Sequence, residues 1–307
     1  MRVCLVSFKK SLWGGIRSFH EHFKTIEGFD VVEWKSGTRH KIPRIGIDLY
    51  VCTGIDPSAP GEWQGELDWV ASQKNSCLIV HDCRSVNAED PKVLKWIMNA
   101  RDRIELMKQF PRWISTAPCV AKFISKTFKR DTQVIPIPYR INTDERRVRS
   151  QKAICVSQLG AQKGGNLLKG LQTHFTYYTS LEAPESRFGL HHFSAKAAVM
   201  RDRPRHYAHS ETVLTMSEYE YLICPTKFKF CYDRAEYATL EAWNAGTIPI
   251  VWHEWIGDEV LIDGWTCYGV SSTQQIDAVL SLEYQPLIAE RGFGLLSRYS
   301  PENWRSL

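Results

Sequence analysis

Asp233 and Glu241 stand eight positions apart in DRAEYATLEAWNAGTIPIVW, with Glu236 between them. Carboxylates grouped in this way suit a ligand rich in hydroxyl groups, such as a ribose or a hexose. At 3.6 residues per turn a helix would place one acid at its mouth and the other about two turns along, on much the same face. Gly246 then ends the helix, since a left-handed residue costs glycine least, and Ile248-Pro249-Ile250-Val251-Trp252 opens a buried strand. An earlier strand, Tyr221 to Pro225, leads into the acids, and open α/β sheets hold their ligands beyond the carboxyl ends of strands. An amphipathic helix with capping acids explains the same residues without any ligand.

Three further groups lie at comparable turns. Gly14-Gly15 follows the first apolar run and opens a helix, where bare backbone N–H groups can approach a phosphate. A tight turn is an equal reading. The stretch is not a GxGxxG and lacks an acid at dinucleotide spacing, which argues against NAD. Lys163-Gly164-Gly165 occupies the matching place in the second half, where a lysine would neutralise a diphosphate leaving group. His81-Asp82 ends the apolar run Cys77 to Val80, just before Arg84, and offers a base or an orienting acid; a capped turn is the plainer alternative. No GxSxG, HExxH, Walker or kinase signature is present.

The elements that must carry these residues alternate. Strands are expected at Val3–Ser7, Val31–Trp34, Leu49–Cys52, Cys77–His81, Trp113–Thr116 and Gln133–Pro136, and helices at 16–25, 91–110 and 117–128. After a charged connector, Asn142 to Lys152, the pattern restarts with strands at Ala153–Ser157, Arg187–His191, Tyr221–Pro225 and Thr266–Val270. This predicts an α/β fold of two Rossmann-like βα domains facing across a cleft, residues 1–150 and 151–307, the last helix packing back on the first domain. A length of 307 residues suits two cores.

Net charge is +5, but fifteen Lys/Arg against five Asp/Glu fall between Lys92 and Lys152, an excess suited to a polyanion or an anionic membrane surface. Lys122, Lys126, Lys129, Arg130, Arg146 and Arg147 lie in it; a solvated helix face plus a linker is the bland reading. Nine scattered cysteines show no metal-ligand spacing and fit a reduced, cytoplasmic setting. No metal is expected. Neither a membrane-spanning run nor a secretory leader is evident.

Taken together, Gly14-Gly15, Lys163-Gly164 and Asp233…Glu241 followed by Gly246-Thr247-Ile248-Pro249 resemble the retaining GT-B glycosyltransferases. Glu236-Tyr237, Leu240-Glu241, Trp252, His81-Asp82 and the first strand are similar, in the same order, to the DNA α-glucosyltransferases of T-even bacteriophages, which modify hydroxymethylcytosine. That resemblance implies a UDP-sugar donor without a required cofactor, with Glu241 on the ribose hydroxyls and Asp233 and Glu236 on the transferred sugar. Lys163, Gly14 and Gly15 would face the diphosphate. His81 and Asp82 would face the reacting centre. The acceptor it implies is double-stranded DNA carrying hydroxymethylated pyrimidines, contacted by Arg84 and the basic residues above, with the target base flipped out. The chain departs from the pattern in three ways. Its first acid is Asp rather than Glu, it is shorter around Gln158 to Lys163, and an arginine expected there is missing, leaving Lys163 alone or with Arg234. Glucose and arabinose both remain open as the sugar. The alternatives are a glycan-building transferase at a membrane face and a catalytically inactive DNA-binding relative.

Overall fold

The structure, a computed structural model, describes residues 1–8, 14–35, 40–54, 64–81, 105, 107–144, 146–156, 165–168, 170–179, 198–202, 209–224, 226 and 232–307. The expected helix 91–110, for the most part, and the expected strand Arg187–His191 lie outside these residues. The chain divides into two compact units, Met1–Arg140 with Tyr299–Leu307, and Ile141–Arg298.

The first unit is built on six parallel strands, β1 (Arg2–Ser7), β2 (Asp30–Lys35), β3 (Leu49–Gly54), β4 (Ser76–Val80), β5 (Arg112–Ser115) and β6 (Gln133–Val134), in the order β2-β1-β3-β4-β5-β6. Helices α1 (Gly14–Phe23), α2 (Gln64–Ser72) and α3 (Pro118–Phe128) accompany them. Strands such as Cys77-Leu78-Ile79-Val80 are apolar throughout because parallel strands are covered on both faces. The C-terminal 3₁₀ turn Pro301–Ser306 belongs to this unit. Its Trp304 is fully buried, stacks edge-on against Phe19 and Phe23, and donates its indole N–H to the Pro136 carbonyl at 2.9 Å.

The second unit repeats the plan with β7 (Gln151–Cys155), β8 (Phe175–Thr179), β9 (Ala198–Asp202), β10 (Tyr219–Cys224), β11 (Ile248–Trp252) and β12 (Tyr268–Val270), ordered β12-β11-β10-β7-β8-β9 and parallel throughout. Its helices are α4 (Gly165–Leu168), α5 (His209–Met216), α6 (Tyr237–Ala245), α7 (Thr273–Leu280) and α8 (Pro286–Gly294). Alternation along β10 sends Tyr221 and Ile223 into one core and Leu222 and Cys224 into the other. Ile141 to Ser150, read from the sequence as the end of the first domain and part of a connector, is instead the start of this unit. Asn142 exchanges backbone–amide hydrogen bonds with Asn244, and Arg147 pairs with Glu218 at 2.5 Å, so its polar groups are used locally.

One packing contact makes a prediction. Trp243 of α6 is fully buried and donates to the Thr266 carbonyl, and α8 meets its indole at Gly292. A Cβ at Gly292 would fall 2.2 Å from the Trp243 ring. Gly→Ala within a helix ordinarily stabilises by about 1 kcal/mol; here Gly292→Ala should destabilise by roughly 1–3 kcal/mol through overpacking, read as a lower midpoint in urea.

Candidate functional site

In the second sheet the connections reverse direction between β7 and β10, and a crevice outside the carboxyl ends of strands forms at such a point. The segment leaving β10 returns as α6, whose sequence YATLEAWNA is buried on almost every side. Glu236 is its N-cap, in extended backbone, and Gly246 its C-cap at φ 76°, the left-handed conformation the sequence assigns to glycine. Thus the glycine-capped end of the helix and the following strand stand where the residue pattern puts them, while the helix begins later than the acid spacing implies.

Glu241 lies on this helix at 7% exposure. Its Oε1 is 3.4 Å from Nδ1 of His209, the first residue of α5, while among the described residues Oε2 has no hydrogen-bond partner. One oxygen is held and the other is available as an acceptor. One turn earlier, Tyr237 is held protonated: burial raises its hydroxyl well above the usual range, the Glu241 charge adds to this, and Arg234 opposes it. Arg234, half-buried, is therefore electrostatically coupled to the same cluster. Glu236 is half-buried nearby and accepts from the Cys224 thiol at 3.9 Å.

Asp233 is placed differently from the sequence expectation. It precedes the helix in left-handed backbone, at φ 50°, so it does not share a helix face with Glu241. Its carboxylate accepts four backbone N–H groups, from Asp258 and Glu259 on one oxygen and from Val260 and Leu261 on the other, at 2.8–3.1 Å. Gly257 lies directly against it. An acid saturated in this way holds a turn together and is not an acceptor for a sugar, which leaves Glu236 as the acid beside the helix mouth.

In the first unit, Gly14 and Gly15 are the first residues of α1. His81 follows β4, its ring edge-on to Phe19 at 5.1 Å and its carbonyl accepting from Thr116. Asp82, Arg84 and Lys163 lie outside the described residues. Of the basic residues, Lys122, Lys126 and Lys129 are exposed; Lys122 and Lys126, at i and i+4, share one face of α3, and Lys129 is its left-handed C-cap. Arg130, half-buried, donates to the carbonyls of Lys108, Phe110 and Pro111 and lies over Trp113, so part of its donor capacity is used within the unit. Arg146 and Arg147 belong to the second unit and precede β7, at the amino edge of the sheet, away from the carboxyl edge that leads to Glu236.

Sequence reasoning missed His209 and a hydrogen-bonded chain in the first unit that runs from the buried His20 and Thr53 to the surface. His20 of α1 is 2.8 Å from Glu33 and 2.7 Å from Thr53, and Lys24 pairs with the same glutamate at 2.5 Å. Burial raises the Glu33 carboxyl, but the hydrogen bonds from His20 and Lys24 and their charges outweigh it and hold it at about 2, against an ordinary 4.5. A depressed carboxyl stabilises fully above its unfolded value and loses that contribution as pH falls through the folded one. Wild type should therefore exceed Glu33→Gln in melting temperature at pH 6, with the gap closing between about 4.5 and 2. A gap independent of pH would contradict the assignment.

The seven described cysteines are buried and form no disulfide among the described residues, and burial pushes Cys4, Cys77 and Cys267 up to about 12. Among the described residues no cluster of His, Cys, Asp or Glu could hold a metal, and no helix is long and apolar enough to cross a membrane.

No protein-family model and no curated protein matches the chain. Solved structures do. An alpha-glucosyltransferase in complex with UDP and a 13-mer DNA containing an A:G mismatch superposes with a TM-score of 0.66 at 15% identity, covering 98% of this chain and 96% of that one. The T4 phage BGT, in complex with UDP-glucose, gives 0.65 at 11% identity, with 100% and 98% covered. AviGT4, a glycosyltransferase of avilamycin A biosynthesis, gives 0.55 at 11%, with 99% and 95% covered. Identity this low speaks for the fold alone, and over the full length of both units that fold is GT-B, the architecture of two-domain glycosyltransferases.

Proposed function

We propose that this chain transfers a sugar, with retention, from a UDP-sugar to the hydroxymethyl group of a modified pyrimidine, 5-hydroxymethylcytosine, in double-stranded DNA. The observation that carries the reading is Glu241, a buried carboxylate on the helix that follows the switch-point strand, with one oxygen fixed by His209 and the other available to a ribose diol. Glu236 takes the transferred sugar, the role the acid spacing had offered to Asp233. The N-terminus of α1 at Gly14-Gly15, with Lys163 and Arg234, stabilises the diphosphate as negative charge develops on it. His81 and Asp82 orient and deprotonate the acceptor hydroxyl. UDP-glucose is the favoured donor, since solved neighbours of the same fold hold UDP and UDP-glucose. No metal is required, and turnover should persist in EDTA.

DNA as acceptor is supported by the exposed lysine face of α3 and by a neighbour whose structure contains UDP and DNA. The hydroxymethyl group lies in the major groove of a stacked base, so the base is extruded to bring that group against the donor sugar. Double replacement of Lys122 and Lys126 by Glu should weaken duplex binding and flatten its salt dependence by a log–log slope of about 2, leaving UDP affinity unchanged; an unaltered slope removes α3 from the interface.

The reaction itself is tested by incubating the protein with UDP-glucose, UDP-arabinose and other UDP-sugars, each with duplexes containing hydroxymethylcytosine, hydroxymethyluracil or cytosine, and weighing the digested nucleosides. A hexose mass on hydroxymethylcytosine alone is the expected result, its α-anomeric proton identified by NMR. UDP release without any nucleoside gain would place the acceptor elsewhere, and neither product would leave a binding protein.

A further inference from the structure

The second unit also contains a pocket of about 210 Å³ that the proposed reaction does not use. It lies at the amino edge of the sheet, where Arg149 precedes β7 and Gly246 precedes β11, and is closed by Tyr284, Glu290 and Phe293. Ligand cavities for drug-sized molecules begin at roughly 300 Å³, so this one suits a smaller group.

Two guanidinium groups converge there. Arg149 donates to the carbonyls of Tyr219 and Gly246 and lies 4.2 Å from the Tyr284 ring centroid, so it is fixed. The Tyr284 hydroxyl, raised by burial, stays protonated and donates to the same Gly246 carbonyl. Arg146 lies over Phe293 at 5.4 Å and, among the described residues, makes no hydrogen bond or ion pair. Terminal nitrogens of Arg146 and Arg149 come within 2.7 and 3.0 Å of the point a Gly246 Cβ would occupy, so both guanidinium groups pack against this glycine. Glu290 lines the pocket yet is not within ion-pair distance of either arginine among the described contacts. Two cations held together on aromatic rings, neither in an ion pair with a carboxylate among the described residues, form a cradle whose repulsion an anion relieves. Paired planar forks match the oxygens of a tetrahedral phosphate.

We infer that this pocket binds a phosphoryl group, from inorganic phosphate or a polynucleotide backbone, at the edge of the second sheet opposite the proposed donor site. Calorimetric titration of the full chain with inorganic phosphate at constant ionic strength tests it. Arg146→Ala should weaken binding at least tenfold, Glu290→Gln should tighten it severalfold by removing a like charge, and Arg291→Ala, on the other side of α8, should change nothing. A short duplex lacking terminal phosphates forms the second arm. Arg146-dependent binding of the duplex but not of inorganic phosphate assigns the group to a nucleic-acid backbone; the reverse assigns it to a free phosphate. Equal losses in Arg146→Ala and Arg291→Ala, or no Arg146-dependent binding of either probe, overturns the inference. Glu241→Ala leaves this affinity intact, so failure here is separate from failure of the donor assignment.

Discussion

Glu241→Ala is expected to weaken UDP binding by roughly tenfold to a hundredfold, the value of a hydrogen bond to a charged group, about 1.5–3 kcal/mol. The physical basis is the state of the carboxylate before any ligand arrives. At 7% exposure it has already lost most of its hydration, and His209 fixes its orientation, so a ribose hydroxyl meets an acceptor that needs little reordering. Glu241→Gln retains one carbonyl oxygen without the charge and should fall between the two. His209→Ala, which releases Oε1 without removing it, should cost less than either replacement of the acid. Calorimetry with UDP reads all three, with circular dichroism to establish that the helix is intact. An unchanged affinity in a folded Glu241→Ala protein removes this residue from the nucleotide site.

Asp233→Asn is expected to lower stability by about 3 kcal/mol or more, and to do so nearly as severely as Asp233→Ala. Each carboxylate oxygen accepts two of the four backbone N–H groups of 258–261. An amide replaces one of those oxygens with an NH₂ facing two donors, so isosteric shape does not rescue the turn. The bonds to Val260 and Leu261 are partly buried, where an orphaned N–H costs most. A purely sugar-binding Asp233 predicts the opposite: an unchanged thermal melt and a loss confined to turnover. Measuring melting temperature before activity separates the two.

Much of the architecture was legible because parallel sheets write themselves as apolar runs. Ile248–Trp252 is recovered to the residue, and Val3–Ser7 and Cys77–His81 to within one position. Phe175–Thr179 escaped because two threonines and two tyrosine hydroxyls interrupt any apolar run, although Phe175 and Tyr177 face the core. The presence of a helix before Gly246 and its glycine cap were legible from local chemistry alone, but not its start at Tyr237. The acids were not equally so. Spacing places Asp233 and Glu241 on one helix face only if the helix reaches Asp233, and the left-handed backbone at that residue prevents it. Charge counting was blind to part of the setting of Arg130, since composition registers a cation but not the carbonyls that its guanidinium meets. His209 stands 32 positions before Glu241, and His20, Glu33 and Thr53 come from three different elements, so no local pattern joins them.

Where the nucleotide sits decides the assignment of Glu241, and a crystal structure of the chain soaked with UDP measures that directly. The ribose hydroxyls should lie within hydrogen-bond distance of the Glu241 carboxylate, at the carboxyl edge of the second sheet beside Glu236. UDP bound elsewhere, with Glu241 still facing only His209 and Tyr237, would contradict it.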